Sequence, residues 1–240
     1  MLDTFAGIGG FSYAATKLVG GYRTTQFIEI DPFCQKILKK HFPFTPIHDD
    51  IRTFTAIPGQ YDVICGGFPC QSISVAGNRV GITEESRSGI FYELMRVVRM
   101  VRPRFVVLEN VAAILNNGLD IVLGELSQAG YDAEWSVISA SSLGACHRRS
   151  RWWCVATLTN SDSKRLQRQD FSKMEREIWA KGSTRCLNPD WRSYVSKPIL
   201  RRGNDGLSYR VDRTKALGNS VVPQVAAIPL KRVYDLYCNG

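Results

Sequence analysis

The chain has 240 residues, of which 44% are hydrophobic and 22% are charged, a composition typical of globular proteins. This excludes collagen, long coiled coils and extensive disorder, and the length allows a buried core without disulfides. Seven cysteines with no CxxC pair support neither a disulfide framework nor a zinc site, so we expect no metal. The sequence contains no run of about 18 apolar residues, and its first residues do not have the pattern of a signal peptide, so we expect none. We therefore expect a cytoplasmic protein without a membrane partner.

The net charge of +9 is concentrated towards the carboxyl end of the chain. Residues 1–158 contain 15 Lys and Arg against 14 Asp and Glu, whereas residues 159–240 contain 16 against 8. A local basic excess indicates a polyanionic partner, most simply nucleic acid. A solvated basic surface without a partner would give the same composition.

Strand and helix patterns alternate over the first 158 residues, which predicts an α/β fold with a doubly wound sheet. The predicted strands are residues 2–5, 24–30, 61–65, 105–108, 131–139 and 152–158, with the last two antiparallel. The predicted helices are residues 11–18, a helix capped by Asp31 and Pro32, residues 88–101, residues 111–129, and a terminal helix from about Val221. Residues 159–206 lack periodicity and are rich in Ser, Asn, Arg and Lys. They predict a small irregular insert between residues 1–158 and 207–240, which form one domain.

The glycine-rich sequence FAGIGG, residues 5–10, follows the first predicted strand and opens a helix. Glycines at this position let the backbone approach a ligand closely, although the spacing differs from GxGxxG. Glu29 ends the next strand, where an acid typically binds ribose hydroxyls, and Asp50 follows the presumed third strand, where it could accept from an adenine amino group. These features predict an adenosine site without a phosphate cradle. A structural turn with two solvated acids is the alternative.

Cys70 lies just beyond the carboxyl end of a predicted strand, where open α/β proteins bind ligands. Its thiol could act as a nucleophile if a positive neighbour lowered its pKa, whereas an inert buried cysteine is the alternative. The next strand ends at Glu109, which adjacent strand geometry could place near Cys70. A thiol and a carboxylic acid suit covalent addition to an electron-poor ring with protonation of a ring nitrogen.

These motifs resemble those of DNA (cytosine-5)-methyltransferases of bacterial or phage type. FAGIGG resembles the family's motif I, FPCQS at residues 68–72 motif IV, and ENV at residues 109–111 motif VI. HRRSR at residues 147–151 resembles motif VIII, and ALGNSVVP at residues 216–223 resembles motif X. His147 stands where many members have Gln, and Cys146 where Pro is frequent. The resemblance implies a Rossmann-like, class I methyltransferase fold, with residues 159–206 as the target recognition insert.

The resemblance implies S-adenosylmethionine as the methyl donor and S-adenosylhomocysteine as the product. In this interpretation Glu29 binds the ribose hydroxyls, Ile30 packs on adenine, and Asn219 reaches the cofactor carboxylate. The implied cofactor-binding residues are Phe5, Ala6, Gly7, Gly9, Gly10, Glu29, Ile30, Asp50, Ile51, Pro69, Ile90, Asn219 and Ser220.

The resemblance also implies catalytic and DNA-binding residues. Cys70 would add to carbon 6 of a flipped-out cytosine, Glu109 would hold ring nitrogen 3 protonated, and Arg151 would contact the cytosine carbonyl. Arg149 and Gln71 complete the implied catalytic set. The candidate DNA contacts are Ser74, Arg165, Arg168, Arg185, Arg192 and Arg201.

We expect double-stranded DNA as the partner, a monomeric enzyme, and a possible cognate restriction endonuclease that is not required for activity. An RNA methylase on the same scaffold is an alternative, because the basic insert favours DNA without excluding RNA. A non-enzymatic DNA-binding module is disfavoured by the presence of Cys70, Glu109 and Arg151 together. A nicotinamide oxidoreductase is inconsistent with the glycine spacing.

Overall fold

The computed structural model describes residues 1–69, 89–159 and 210–239. Within these ranges seven strands form one sheet in the order β3-β2-β1-β4-β5-β7-β6. The strands are β1 (Leu2–Thr4), β2 (Gln26–Ile28), β3 (Ile47–His48), β4 (Val63–Gly67), β5 (Phe105–Val111), β6 (Tyr131–Ser139) and β7 (Ser150–Leu158). The α-helices are α1 (Gly10–Tyr13), α2 (Pro32–His41), α3 (Gly89–Val101), α4 (Leu119–Gln128), α5 (Arg210–Asn219) and α6 (Pro223–Asn239).

The first five strands are parallel, and β7 lies between β5 and β6, antiparallel to both. This arrangement confirms the predicted doubly wound α/β sheet and its two antiparallel closing strands. Because β2, β1, β4 and β5 are parallel neighbours, their carboxyl ends lie side by side at one edge of the sheet.

Hydrophobic side chains cover both faces of the sheet, as the alternating direction of strand side chains requires. On one face Ile64 and Val106 pack with residues of α3 and α4. On the other face Cys65 and Val107 pack with residues of α1 and α6. The five cysteines in the described ranges are free thiols. No helix in those ranges is long and apolar enough to cross a membrane.

The prediction of one helix over residues 111–129 is wrong. Strand β5 continues to Val111, a 3₁₀-helix follows at Ala112–Asn116, and α4 begins only at Leu119. Gly118 between them has a φ of 117°, which breaks helical geometry and which glycine adopts readily. The apolar pattern is continuous across this break, so periodicity alone did not reveal it.

Other predicted helices are confirmed with local differences. The helix predicted over residues 11–18 is present as α1 followed by a π-helix at Ala14–Val19. Asp31 caps α2 as predicted, since its Oδ1 accepts from the backbone N–H of Phe33 at 2.9 Å. The terminal helix is also confirmed: α6 packs on the sheet. Residues 160–209, which include all but the first residue of the predicted insert, lie outside the described residues.

Candidate active site

The structure brings several predicted site residues together at the carboxyl edge of the parallel strands. The glycine turn follows β1, Glu29 and Ile30 follow β2, and Pro69 follows β4. Glu109 lies near the end of β5, beside β4 in the sheet, at the position opposite Gly67. This is the edge at which open α/β sheets bind ligands.

The glycines of the turn after β1 have different surroundings. Gly7 has a φ of 54°, and a Cβ placed there would meet nothing within 4 Å. A Cβ on Gly9 would lie 2.8 Å from the ring of Phe42, and one on Gly10 would lie 2.5 Å from Cγ2 of Val221. Gly9 and Gly10 therefore permit close packing against neighbouring segments, whereas Gly7 leaves open space in which a ligand could lie.

Glu29 and Ile30 form a surface suited to a nucleoside. Glu29 is buried, and its carboxylate accepts backbone hydrogen bonds from Gly7 at 2.6 Å and from Asp31 at 2.7 Å. Burial raises the pKa of Glu29, although these two hydrogen bonds act in the opposite direction. Each carboxylate oxygen retains acceptor capacity for a hydroxyl group. The adjacent Ile30 is 61% exposed, which leaves an apolar surface uncovered.

The loop after β3 carries Asp50 and Ile51 in different environments. Oδ1 of Asp50 accepts hydrogen bonds from the backbone and side chain of Arg52, which lower the pKa of Asp50. Ile51 is buried in the core, only 3% exposed, rather than lying on the loop surface. Arg96 of α3 donates to the carbonyl oxygens of Ile51 at 2.6 Å and Phe54 at 3.1 Å. Sequence reasoning missed this anchor because it joins distant segments through backbone oxygens.

Glu109 and Arg151 form an ion pair at the end of β5. Nε of Arg151 lies 3.0 Å from Oε1 of Glu109. Burial raises the pKa of Glu109 from 4.5 to about 7, even though the charges of Arg151 and Arg149 act to lower it. A carboxyl group with a pKa near neutrality can hold and release a proton at physiological pH.

Asn110 fixes the backbone that leads towards Cys70. Its Nδ2 donates to the carbonyl oxygen of Phe68 at 3.2 Å, and its Oδ1 accepts from the N–H of Val111 at 2.8 Å. Asn110 is buried, and it belongs to the ENV motif without having been singled out from the sequence. Pro69, the last described residue before Cys70, is exposed.

Several predicted site residues lie outside the described residues, so their predicted roles stay predictions. They are Cys70, Gln71, Ser74, Arg165, Arg168, Arg185, Arg192 and Arg201.

The remaining predicted residues lie around the same edge of the sheet or in the core beneath it. Phe5 and Ile90 are partly buried against the core on the α3 side, and Ala6 is buried beside α2. Asn219 is the exposed last residue of α5, and Ser220 follows it. In the described ranges no three His, Cys, Asp or Glu side chains cluster as metal ligands.

Three polar contacts tie α5 and the residue that follows it to the rest of the site. Nη2 of Arg149 donates to the carbonyl oxygens of Gly218 at 2.9 Å and Ser220 at 2.5 Å. Nζ of Lys215 lies 2.8 Å from Oδ2 of Asp31, the residue that caps α2. Neither the Lys215–Asp31 pair nor the carbonyl contacts of Arg149 had a signal in the sequence pattern.

Comparison with known proteins identifies relatives of the chain. The family model for C-5 cytosine-specific DNA methylase matches residues 1–200. Type II methyltransferase M.CviJI of Paramecium bursaria Chlorella virus IL3A is 37% identical over 158 residues, which cover 65% of this chain and 42% of the relative. Type II methyltransferase M2.BsuMI of Bacillus subtilis strain 168 is 32% identical over 181 residues, 72% of this chain and 46% of the relative. The chain spans less than half the length of these curated relatives.

One solved structure that the chain resembles has been described as a DNA modification methyltransferase encoded within an E. coli prophage. It has a TM-score of 0.62 and 19% identity, and the match covers 99% of both chains. The S. pombe Dnmt2 methyltransferase has a TM-score of 0.59 and 21% identity, with 72% of this chain and 53% of that chain covered. At these identities the likeness concerns the fold. The family model, which matches most of the chain, carries the assignment: the protein belongs to the C-5 cytosine-specific DNA methylase family.

Proposed function

We propose that this protein is a DNA (cytosine-5)-methyltransferase that modifies a flipped-out cytosine within a short sequence of duplex DNA. The observation that carries the proposal is the buried Glu109, whose carboxyl group has a pKa of about 7 and is paired with Arg151. It lies at the strand ends beside the backbone that leads towards Cys70. Membership of the family supports the same reaction class.

S-adenosylmethionine suits the site as the methyl donor and would supply an electrophilic methyl group. The open space at Gly7, the remaining acceptor capacity of Glu29 and the uncovered surface of Ile30 support this choice. The residues proposed to hold it are Phe5, Ala6, Gly7, Gly9, Gly10, Glu29, Ile30, Asp50, Ile51, Pro69, Ile90, Asn219 and Ser220.

In the proposed mechanism the thiolate of Cys70 adds to carbon 6 of cytosine, while Glu109 holds a proton on ring nitrogen 3. Protonation offsets the negative charge that the addition would place on the ring, and carbon 5 becomes nucleophilic. Arg151, already paired with Glu109, contacts the cytosine carbonyl. After carbon 5 accepts the methyl group, it loses its proton and the thiolate of Cys70 is eliminated, which restores the enzyme.

We assign residues 1–158 and 207–240 to the catalytic domain and residues 159–206 to target recognition. The support for this division is the basic excess of the insert and its interruption of the strand–helix pattern. Lys and Arg side chains hold phosphates, and Arg can read guanine in the major groove. The proposed partner is therefore duplex DNA.

The test is expression in a bacterial host that lacks DNA methylation, followed by bisulfite sequencing of the genome. The wild-type protein should protect cytosines in one short sequence context, whereas Cys70→Ser should protect none. Cys238→Ser is the matched control, because Cys238 is an exposed free thiol near the end of α6 and should leave the pattern unchanged. Absence of protection by soluble wild-type protein would contradict the proposal.

A second assay separates the alternatives. Methyl incorporation from S-adenosylmethionine is measured with duplex DNA and with tRNA, and incorporation into tRNA alone would favour the RNA methylase. In 5-fluorocytosine, fluorine replaces the proton that must leave carbon 5 before Cys70 can be eliminated. Wild-type protein should therefore remain covalently attached to a duplex with 5-fluorocytosine at the target, whereas Cys70→Ser should not. Wild-type and Cys70→Ser proteins that behave alike in every assay would favour a non-enzymatic DNA-binding module.

A further inference from the structure

Arg149 contacts the carboxyl end of α5 and the residue that follows it, in addition to lying near Glu109 and Arg151. One nitrogen of its guanidinium donates to the carbonyl oxygens of Gly218 and Ser220, at 2.9 Å and 2.5 Å. The last carbonyl groups of a helix have no partner within the helix, and a cation is favourable there. Arg149 therefore caps the carboxyl end of α5 from another part of the chain.

The backbone of Arg149 has an unusual conformation just before β7. Its φ is 27°, in the left-handed region that side-chain-bearing residues rarely adopt. Such strain persists only where surrounding contacts over-determine it, and it is concentrated at functional sites. The contacts with Gly218 and Ser220 are interactions that can hold Arg149 in this conformation.

The same segment is held on another side by the glycine turn. Gly10 approaches Val221 so closely that a Cβ on Gly10 would lie 2.5 Å from Cγ2 of Val221. The segment from Gly218 to Val221 thus contacts both Arg149 and the turn that follows β1. It carries Asn219 and Ser220, which are proposed to contact the cofactor.

We propose that Arg149 is a positioning residue of the cofactor site, which holds the end of α5 and Ser220 in place so that Asn219 can reach the methyl donor. This inference rests on the proposed function and changes the role implied for Arg149 by the sequence, which placed it with the catalytic residues. Arg149 also lies close enough to Glu109 for its charge to act on that carboxyl group. Arg149 therefore contacts the residues on either side of Asn219 directly, and it acts on Glu109 through its charge.

The first test is equilibrium binding of S-adenosylmethionine without DNA. Arg149→Ala should bind about tenfold more weakly or worse, the effect expected when hydrogen bonds to a charged donor are lost. Arg149→Lys keeps the charge but not the planar fork, so its affinity should fall between wild type and Arg149→Ala. Arg148→Ala is the matched control, because Arg148 is the exposed neighbour in the chain, and its affinity should equal that of wild type.

Steady-state kinetics distinguish positioning from contact with the base. A positioning role predicts a raised KM for S-adenosylmethionine with kcat little changed in Arg149→Lys. If Arg149→Ala binds the cofactor as well as wild type and loses kcat instead, the inference is overturned. If Arg149→Ala does not fold, both the binding assay and the kinetics are performed with Arg149→Lys. An affinity and a KM for S-adenosylmethionine equal to those of wild type would then overturn the inference.

Amide hydrogen exchange in the ligand-free protein separates this inference from the proposed function. Arg149→Lys should accelerate exchange in the peptide that spans Gly218 to Val221 and leave β6 unchanged. If wild-type protein binds no S-adenosylmethionine, the proposed function fails, and the exchange comparison still decides whether Arg149 holds the end of α5 and Ser220 in place. Equal exchange in the two proteins overturns the positioning role.

Discussion

Glu109 and Arg151 are paired at 3.0 Å because β7 runs antiparallel beside β5. The register places Glu109 opposite Trp153 and Val111 opposite Arg151, so the acid and the guanidinium are diagonal neighbours on the same face of the sheet. The pair is thus part of the sheet rather than of a loop. This rigid placement suits the role proposed for Glu109, which is to hold a proton on the cytosine ring.

The raised pKa of Glu109 predicts how activity depends on pH. The carboxyl group is protonated below about 7 and loses its proton as the pH rises through that value. Because the proposed mechanism needs the proton, kcat/KM for methyl transfer should fall as the pH rises through about 7. Glu109→Gln should lower the rate by roughly 10²- to 10⁴-fold and remove this pH dependence, as loss of an acid–base group does.

A suitable control for this measurement is Glu125→Gln. Glu125 lies on α4 and is paired with Arg99 of α3, away from the strand ends that carry the site. Its rate and pH profile should match those of wild type. A pH profile that is the same in wild type and Glu109→Gln would exclude Glu109 as the titrating group.

Asn110 should act on catalysis through the backbone of Phe68. Asn110→Ala removes the hydrogen bond to this buried carbonyl and should destabilise the protein by about 1–3 kcal/mol, as expected for an unsatisfied polar group. Asn110→Asp should be at least as harmful, because an ionised carboxylate cannot donate to the carbonyl oxygen. Urea unfolding gives the stability. Covalent trapping on 5-fluorocytosine DNA should slow in both variants, with cofactor affinity unchanged; equal trapping rates would contradict this role.

Asp3 should make the free energy of unfolding depend on pH. Its side chain is fully buried in β1, where it accepts hydrogen bonds from the N–H and hydroxyl of Ser12, and burial raises its pKa from 3.8 to about 7. Between about pH 3.8 and pH 7, Asp3 therefore keeps its proton in the native state and releases it in the unfolded state. The contribution of Asp3 to the free energy of unfolding should therefore be fully present below about pH 3.8 and fall by up to about 1.4 kcal/mol per pH unit until about pH 7.

Asp3→Asn removes this titration. Urea unfolding of both proteins at about pH 5 and about pH 7.5 should show that wild type loses more stability than the variant as the pH rises. A difference between the two proteins that does not change with pH would show that Asp3 is not protonated in the folded state.

Gly10→Ala should destabilise the protein through Val221. The added methyl group would lie 2.5 Å from Cγ2 and 3.1 Å from the carbonyl oxygen of Val221. Overpacking of this kind costs about 1–3 kcal/mol. Val221→Ala in the same chain should recover part of the loss, because it removes the closest contact and leaves the carbonyl one.

Gly124→Ala is the matched control for this substitution. Gly124 lies inside α4, and a Cβ there would meet nothing within 4 Å. Alanine should stabilise the helix by up to about 1 kcal/mol, since it is the better helix former. Thermal unfolding compares the variants, and a Gly10→Ala protein as stable as Gly124→Ala would contradict the proposed packing.

Local sequence patterns predicted the bounds and the capping residues of some elements correctly. Strand β6 has the predicted bounds, and Asp31 caps α2 as predicted. Helix count was predicted less well: the 3₁₀-helix and α4 were predicted as one helix although Gly118, with its positive φ, lies between them, and α5 was not predicted. Strand β5 extends three residues beyond its prediction, because its pairing with β7 continues to Val111, whereas its pairing with β4 ends at Glu109.

Sequence by itself determined the order of the elements and the identity of the motif residues, because both depend on neighbours along the chain. It also placed the glycine turn, Glu29 and Glu109 at strand ends, since strand patterns are local. Tertiary structure alone decided which groups meet: Arg151 reaches Glu109 through strand pairing, and Arg149 reaches Ser220 across the fold. It also decided that Glu109 is buried, and burial is the physical cause of its raised pKa.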